Sequence, residues 1–496
     1  RPPMIAQHMP IIQIILPLMA APVCLVIRHP HVVWIWAVAI SWLCLPISVS
    51  LLMQVMDTGT IVYELGGWAA PWGIEYRIDT LNAFVLVIVS AIGAVVMPYA
   101  RLSVEKEIPV SRIYIFYAMM LLCQTGLMGI AITGDAFNLF VFLEISSLSS
   151  YVLISFGTDR RALTASYRYL IMGTIGATFY IIGVGLMYNV TGSLNIHDLS
   201  KLIPEMASSR TVHAALAFLT VGLGLKVALF PLHMWLPNAY TYAPSAVTVF
   251  LAATATKVAV YALIRVTYTI FGTVDILDFV PVRDLLMGMA LIAMFVGSAV
   301  AIYQVNVKRM LAYSSVAQIG YMILGLSFDT VNGVAAGIIH LFNHAMMKGG
   351  LFMVLGAVMY RIGSVHLHDM AGLGKKMPLT MAAFVGGGLS LIGVPLTVGF
   401  VSKWYLIQAA LEKGWWPVAA LIVISSLMAV IYVWRVVEVI YMQPAGPAAE
   451  NATEAPLSLL IPTWILIGAA VYFGIDATTT LDVAIAAAEA LLGGAR

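Results

Sequence analysis

Apolar runs of roughly 20 residues, each closed by a short polar turn, recur from one end of the chain to the other. Such a run crosses hydrocarbon as a helix, because only a helix satisfies its own backbone polar groups there. The pattern predicts an all-α polytopic membrane protein of about fourteen spans, near 5–27, 32–56, 80–100, 112–132, 135–157, 163–189, 212–236, 244–271, 284–305, 309–328, 331–360, 379–411, 416–442 and 456–475. The run Ile11 to Ile27 has the character of a signal peptide, but the next span follows at Val32 to Met56, so it reads as the first spanning helix. No soluble domain is expected before or after the bundle. Asp57 to Asp79, with Gly66-Gly67, Pro71 and alternating aromatics, predicts a small hairpin or loop, and Gln443 to Pro456 an exposed linker.

Composition agrees with the pattern: 61% of residues are hydrophobic and 10% charged, where a soluble domain carries about a quarter charged. The net charge of +2 is scattered over loops, which gives no footprint for nucleic acid. An even number of spans puts both termini on one side. One face collects Arg28, Arg101, Lys106, Arg112, Arg160, Arg161, Lys308, Arg309, Arg361, Lys375 and Lys376; the other collects Arg1, Arg77, Lys201, Arg210, Arg283 and Lys413. Eleven against six assigns the first face to the cytoplasm of a cell inner membrane and leaves both termini outside. The sequon Asn451-Ala452-Thr453 then lies inside and is discounted.

Leu219-Thr220-Val221-Gly222 followed by Lys226 matches Leu396-Thr397-Val398-Gly399 followed by Lys403, with identical spacing. Both copies lie in spans interrupted by Gly or Pro, and an odd number of crossings separates them, so they enter the membrane from opposite sides. That is the signature of two inverted repeats with broken helices at a working site. The expected division is 1–111 for N-terminal helices, 112–271 and 284–442 for the repeats, and 443–496 for a linker and last helix.

An ionisable side chain near the bilayer centre costs roughly 2.5–3.5 kcal/mol, so it needs a partner, water or a role. Glu144 lies amid Phe137 to Leu143 and Ile145-Ser146-Ser147; Lys226 follows Gly222 and Gly224, where a broken helix admits water. Burial lowers a lysine pKa and a nearby carboxylate raises it, so a Glu–Lys pair of this kind can switch protonation. Lys257 is the next titratable stop and Lys403 the last, with Arg435 either a counterpart of Lys257 or a helix-end residue. His340, His344 and Lys348 share one face of the eleventh span. Leu341-Phe342-Asn343 between the histidines holds no Glu for a zinc motif, which leaves a proton relay or satisfied core histidines. His233 either guards a mouth of the path or hydrogen-bonds broken backbone; Ser314, Ser315 and Gln318 hold water or glue helices. Cys24, Cys44 and Cys123 are too isolated for a metal, cluster or disulfide, and no nucleotide or haem motif is present. No cofactor or metal is expected, and the chain must exchange one gradient for another or be driven by a partner.

These residues resemble the antiporter-like membrane subunits of respiratory complex I, membrane-bound hydrogenases and Mrp-type cation/proton antiporters. The resemblance rests on Phe137 to Glu144, Lys226 with Phe230 to Tyr240, Ala243-Pro244-Ser245, Lys308 to Ser315, His340 to Lys348 and Gly399 to Lys403. It implies a Glu–Lys pair at Glu144 and Lys226, a central lysine at Lys257, a histidine bridge at His340 and His344 and a terminal lysine at Lys403. The length, the phrase Asn138 to Glu144 and Lys rather than Glu at 403 look most like the D-type member of Mrp antiporters. One departure is Asn238, where the family commonly has Asp, which removes the carboxylate for an acidic contact at the mouth. The resemblance implies a transporter subunit, not an enzyme, that moves protons against Na⁺ or K⁺ alongside other membrane subunits. A redox-driven pump, a proton-driven inorganic carbon uptake module and an inert membrane scaffold are the alternatives.

Overall fold

The computed structural model describes residues 4–272 and 280–493, so the expected placement of Arg1 lies outside the described residues. The chain runs through α1 (Met9–Ile27), α2 (Pro30–Thr58), β1 (Ile61–Glu64), β2 (Glu75–Ile78), α3 (Thr80–Glu107), α4 (Ile113–Ile132), α5 (Ala136–Ser155) and α6 (Arg161–Thr191). It continues with α7 (Arg210–Val227), α8 (Leu236–Tyr242), α9 (Ser245–Ile264), α10 (Val282–Ile302), α11 (Val307–Ser327) and α12 (Val331–Ile362). The last elements are α13 (Pro378–Ile392), α14 (Val398–Glu412), α15 (Trp416–Met442), α16 (Leu457–Ile475) and α17 (Thr478–Gly493). Among the described residues thirteen helices are long and apolar enough to cross a membrane, and the fifteen-residue pair α13 and α14 makes a fourteenth crossing. The predicted hairpin is present as an antiparallel ribbon pairing Ile61 with Ile78 and Glu64 with Glu75.

α9, α11 and α12 form the centre, and nearly every residue of α9 and α11 is buried. α3 joins them to the N-terminal pair α1 and α2, where Gln13 Nε2 donates to Ser48 Oγ at 2.7 Å, a polar tie of the kind that holds membrane helices together.

Two crossings are broken. α7 stops at Val227, where Ala228 turns left-handed (φ 61°), and Pro231, which lacks an N–H, sits in the gap before α8. α13 stops at Gly393 (φ 90°), a left-handed position that glycine takes at no steric cost, and Pro395 and Leu396 precede α14.

A local device occurs twice. Asp135 caps α5 and bridges Asn195, just past Gly192 at the end of α6; Asn306 caps α11 and bridges His366, just past Gly363 at the end of α12. Each pair of matching residues is 171 positions apart (135 to 306, 192 to 363, 195 to 366). The Leu-Thr-Val-Gly copies are instead 177 apart (219 to 396), six residues out of register. Leu219 to Gly222 lie inside α7 before its break, whereas Leu396 to Gly399 cross the break itself. The motif therefore does not mark equivalent points: Lys226 precedes its break and Lys403 follows its own.

One helix was not expected from the sequence. α17, an alanine-rich stretch of 16 residues, packs on α12 and α3; it is shorter than a span and follows Asp476, so a search for long apolar runs passes over it. Arg435 lies within α15, about two turns before its end, and donates to Ile302 O and to Gln304 O (3.1 Å) at the end of α10.

The packing makes a topological prediction. Cys24, Cys44 and Cys123 are buried, so Arg160→Cys and Lys413→Cys each add one reactive thiol. A membrane-impermeant maleimide should label them from opposite sides of sealed vesicles; labelling from one side would contradict the order of crossings.

Candidate functional site

Four lysines, 226, 257, 348 and 403, are each exposed by 6% or less, yet among the described residues none lies within 4.0 Å of a carboxylate. Each amino group is held by uncharged oxygens instead. Lys226, in the last turn of α7, donates to Ser147 Oγ at 2.6 Å. Glu144 lies one turn back on α5, half-buried, on the face that exposes Val141 and Leu148 to the outside of the bundle. Ser147, not Glu144, is what Lys226 touches. The amino group has space because position 173 is glycine: a Cβ there would lie 2.0 Å from Tyr151 Oη and 3.2 Å from Lys226 Nζ. A cavity of about 20 Å³ beside Lys226 is walled by Ser146, Ser147 and Ser150 on one side and by Ala255 and Ala259 of α9 on the other. That is room for about one water, between the Lys226 helix and the helix of Lys257.

Lys257 donates to Ala252 O and to Thr256 Oγ1 (3.3 Å) inside α9. α9 packs along α12, with Ala253 against Gly349. On α12 the rings of His340 and His344 stack with centroids 5.9 Å apart. His340 Nε2 meets Gln318 Oε1 at 2.8 Å; that oxygen only accepts, so Nε2 carries the hydrogen and Nδ1 accepts from Ser402 Oγ at 2.6 Å. Among the described residues neither ring nitrogen of His344 has a protein partner. A buried polar group left without a partner costs roughly 1–3 kcal/mol. Lys348, on the same face, turns toward α11 and donates to Leu311 O (2.6 Å) and Ser314 Oγ (2.7 Å). The shared helix face thus brings the histidines together and sends the lysine to a neighbour.

Lys403 reaches back across the second break and donates to Leu391 O (2.8 Å) and Ile392 O (3.2 Å), the last carbonyls of α13. Its Nζ stands 4.8 Å over the Tyr321 ring, which meets His340 edge-on at 6.2 Å. Ser402, the residue before it, ties this lysine to the histidine pair. A helix end carries about half a negative charge on its free carbonyls, which suits a cation. Both lysines are thus associated with the last turn of the half-helix that precedes a break, although they arrive there from different sides.

His233 lies within the first break, buried and stacked on Phe230 at 5.2 Å, apart from the other candidates. Residues not foreseen sit at the two ends of the bundle. At one, a 240 Å³ pocket includes Glu107 and Lys308; Glu107 accepts from Ser245 N (3.1 Å) and Oγ (3.0 Å) at the start of α9, and Lys308 donates to Ala243 O (2.7 Å). Both flank spans in the sequence, where a charge is unremarkable. At the other end a 380 Å³ pocket holds the Arg265–Asp79 ion pair (2.6 Å) with Arg77, His197 and Lys201. Burial, then Arg77 and Lys201, push the His197 pKa below its ordinary value.

Residues 133–429 match the family described as NADH:quinone oxidoreductase/Mrp antiporter, TM. The chain belongs to this family. Among curated relatives, the N-type subunit of the NADH-quinone oxidoreductase of Desulforudis audaxviator is 43% identical over 475 residues, covering 92% of this chain and 94% of the relative. The D-type subunit of the Na⁺/H⁺ antiporter of Alkalihalophilus pseudofirmus is 30% identical over 448 residues, covering 90% and 89%. A chain in the structure of the Mrp complex from Dietzia sp. DQ12-45-1b superposes with a TM-score of 0.89 at 26% identity, covering 99% and 98%. The relatives of this NADH:quinone oxidoreductase/Mrp antiporter chain are subunits of antiporter or respiratory membrane complexes, which supports membrane partner subunits here too.

Gly173→Ala tests the packing around Lys226. The added methyl must displace Tyr151 Oη, and overpacking of that kind costs about 1–3 kcal/mol. The thermal midpoint of the purified chain in detergent should fall; an unchanged midpoint would contradict the close approach.

Proposed function

We propose that this chain is the proton-translocating subunit of a hetero-oligomeric Na⁺ or K⁺/proton antiporter in a cell inner membrane, with 112–271 and 284–442 as its two half-paths. The observation that carries the reading is the series of buried amino groups, with the His340 ring, held by neutral oxygens. A lysine bound to a carboxylate would be fixed in its charged form; one bound to a hydroxyl or carbonyl gives up its proton at lower cost. Protons enter by the Lys226 break, pass the small cavity to Lys257, cross His344 and His340, and leave by Lys403. Glu144 lies one turn from Ser147, the partner of Lys226, where it can bias that lysine, and its half-exposed position at membrane depth suits cover by a partner subunit, since a carboxyl facing lipid is costly.

A second reading has one observation in its favour: the relative at 43% identity is named for an oxidoreductase, the one at 30% for a Na⁺/H⁺ antiporter. In it the same path is driven by a redox partner. The complex reconstituted in vesicles separates the two. The antiporter reading expects a Na⁺ or K⁺ gradient to move protons with no electron donor present, and movement only on supplying electrons would favour the redox reading. In either case Lys226→Ala, in an assembled complex, should slow proton flux by at least about tenfold, equivalent to about 1.4 kcal/mol in a barrier. Undiminished flux would remove Lys226 from the path and favour a scaffold.

A further inference from the structure

A pocket of 280 Å³ opens beside the first break, between α6, α8 and the start of α11. Its walls are apolar, from Met172, Met234, Trp235 and Pro237, and its polar groups are Arg168, Arg309 and Asn238. Arg309 Nη1 donates to Asn238 Oδ1 at 2.5 Å, and the guanidinium lies over the Tyr313 ring at 5.5 Å. Among the described residues neither arginine lies within 4.0 Å of a carboxylate. Two arginines thus line one cavity, Arg168 exposed and Arg309 partly buried, and the side chain that holds the Arg309 guanidinium is a neutral amide, which uses one of five donors and offsets no charge.

The surroundings restrict what anion could bind here. Arg168 lies two turns into α6 and Arg309 in the first turn of α11, both at the end of the bundle that also carries Arg160, Arg161 and Lys308. Ile171 and Met234 are exposed on the outside of the bundle next to the pocket, so its apolar wall continues onto the outer surface of the bundle. A ligand that fits has an anionic head for the two arginines and a hydrocarbon tail for Met172, Met234 and Trp235. Arg presents paired N–H donors that match phosphate oxygens.

We propose that this pocket binds an acidic phospholipid, its phosphate between Arg168 and Arg309 and an acyl chain along Met172 and Met234. The site adjoins the Lys226 turn: Trp235 Nε1 donates to Leu225 O at 2.8 Å, and its ring stacks on Tyr169 with centroids 4.0 Å apart. The lipid therefore packs against the segment that ends α7.

The test is native mass spectrometry of the purified complex after exchange into phosphatidylcholine containing phosphatidylglycerol, with wild type, Arg168→Gln/Arg309→Gln and Asn238→Asp compared. Wild type should retain phosphatidylglycerol, and the double variant should bind it about tenfold more weakly, a loss of about 1.4 kcal/mol. Asn238→Asp keeps both arginines but gives Arg309 a carboxylate of its own, so it too should lose the lipid while keeping the wild-type thermal midpoint. Excess inorganic phosphate should not displace the lipid. Equal retention in all three proteins, displacement by phosphate alone, or crosslinking of Arg168 or Arg309 to an acidic residue of a partner subunit in the lipid-saturated complex would each overturn the proposal. The readout is lipid binding, so its failure leaves the proton path untouched and failure of that path leaves the lipid site standing.

Discussion

A helix that stops inside a membrane leaves carbonyl groups where no bulk water can satisfy them, and this structure contains two such stops. Lys226 and Lys403 are arranged around them. At the first, Lys226 occupies the last turn of α7 and Trp235 caps Leu225 O. At the second, Lys403 supplies its amino group to Leu391 O and Ile392 O from the far side of the gap. The backbone needs donors at these points, and a lysine is a donor that also exchanges protons.

The same requirement bears on why Lys226, Lys257, Lys348 and Lys403 are not paired with acids among the described residues. A carboxylate at each break would neutralise the charge and fix it; carbonyls and hydroxyls hold the amino group without demanding that it stay protonated. Ser147, Thr256 and Ser314 carry out this service on three different helices, while the Ser402 hydroxyl meets the His340 ring. Two of them belong to helices bearing the repeated cap, α5 and α11, so a fold built from two copies supplies a hydroxyl beside a lysine in each copy. His340 and His344 lie between, on a helix whose neighbours α9 and α14 carry Lys257 and Lys403.

Much of this was legible in the sequence. Apolar runs give the crossings because their length is set by the bilayer, and Gly224, Pro231, Gly393 and Pro395 mark the interrupted ones because those residues end helices. The i, i+4 spacing of His340 and His344 gives their stacking. Other features depend on contacts distant in the chain. Ser147 is 79 residues from Lys226, and nothing local distinguishes it from Ser146 or Ser150. The Leu-Thr-Val-Gly match misled on register because four common residues recur readily in an apolar alphabet, whereas the true correspondence resides in caps and turns, Asp135 with Asn195 and Asn306 with His366. α17 was hidden by its length.

In the proposed path Lys257 is the link between the two halves, buried in the central helix and, among the described residues, bonded to Ala252 O and Thr256 Oγ1 alone. The most direct measurement is proton uptake by vesicles holding the assembled complex with Lys257→Met, a side chain of similar length that carries no titratable group. A loss of about tenfold or more with assembly intact is the expected result. Wild-type uptake by that variant would mean that protons do not pass through the centre of the bundle, and would contradict the path.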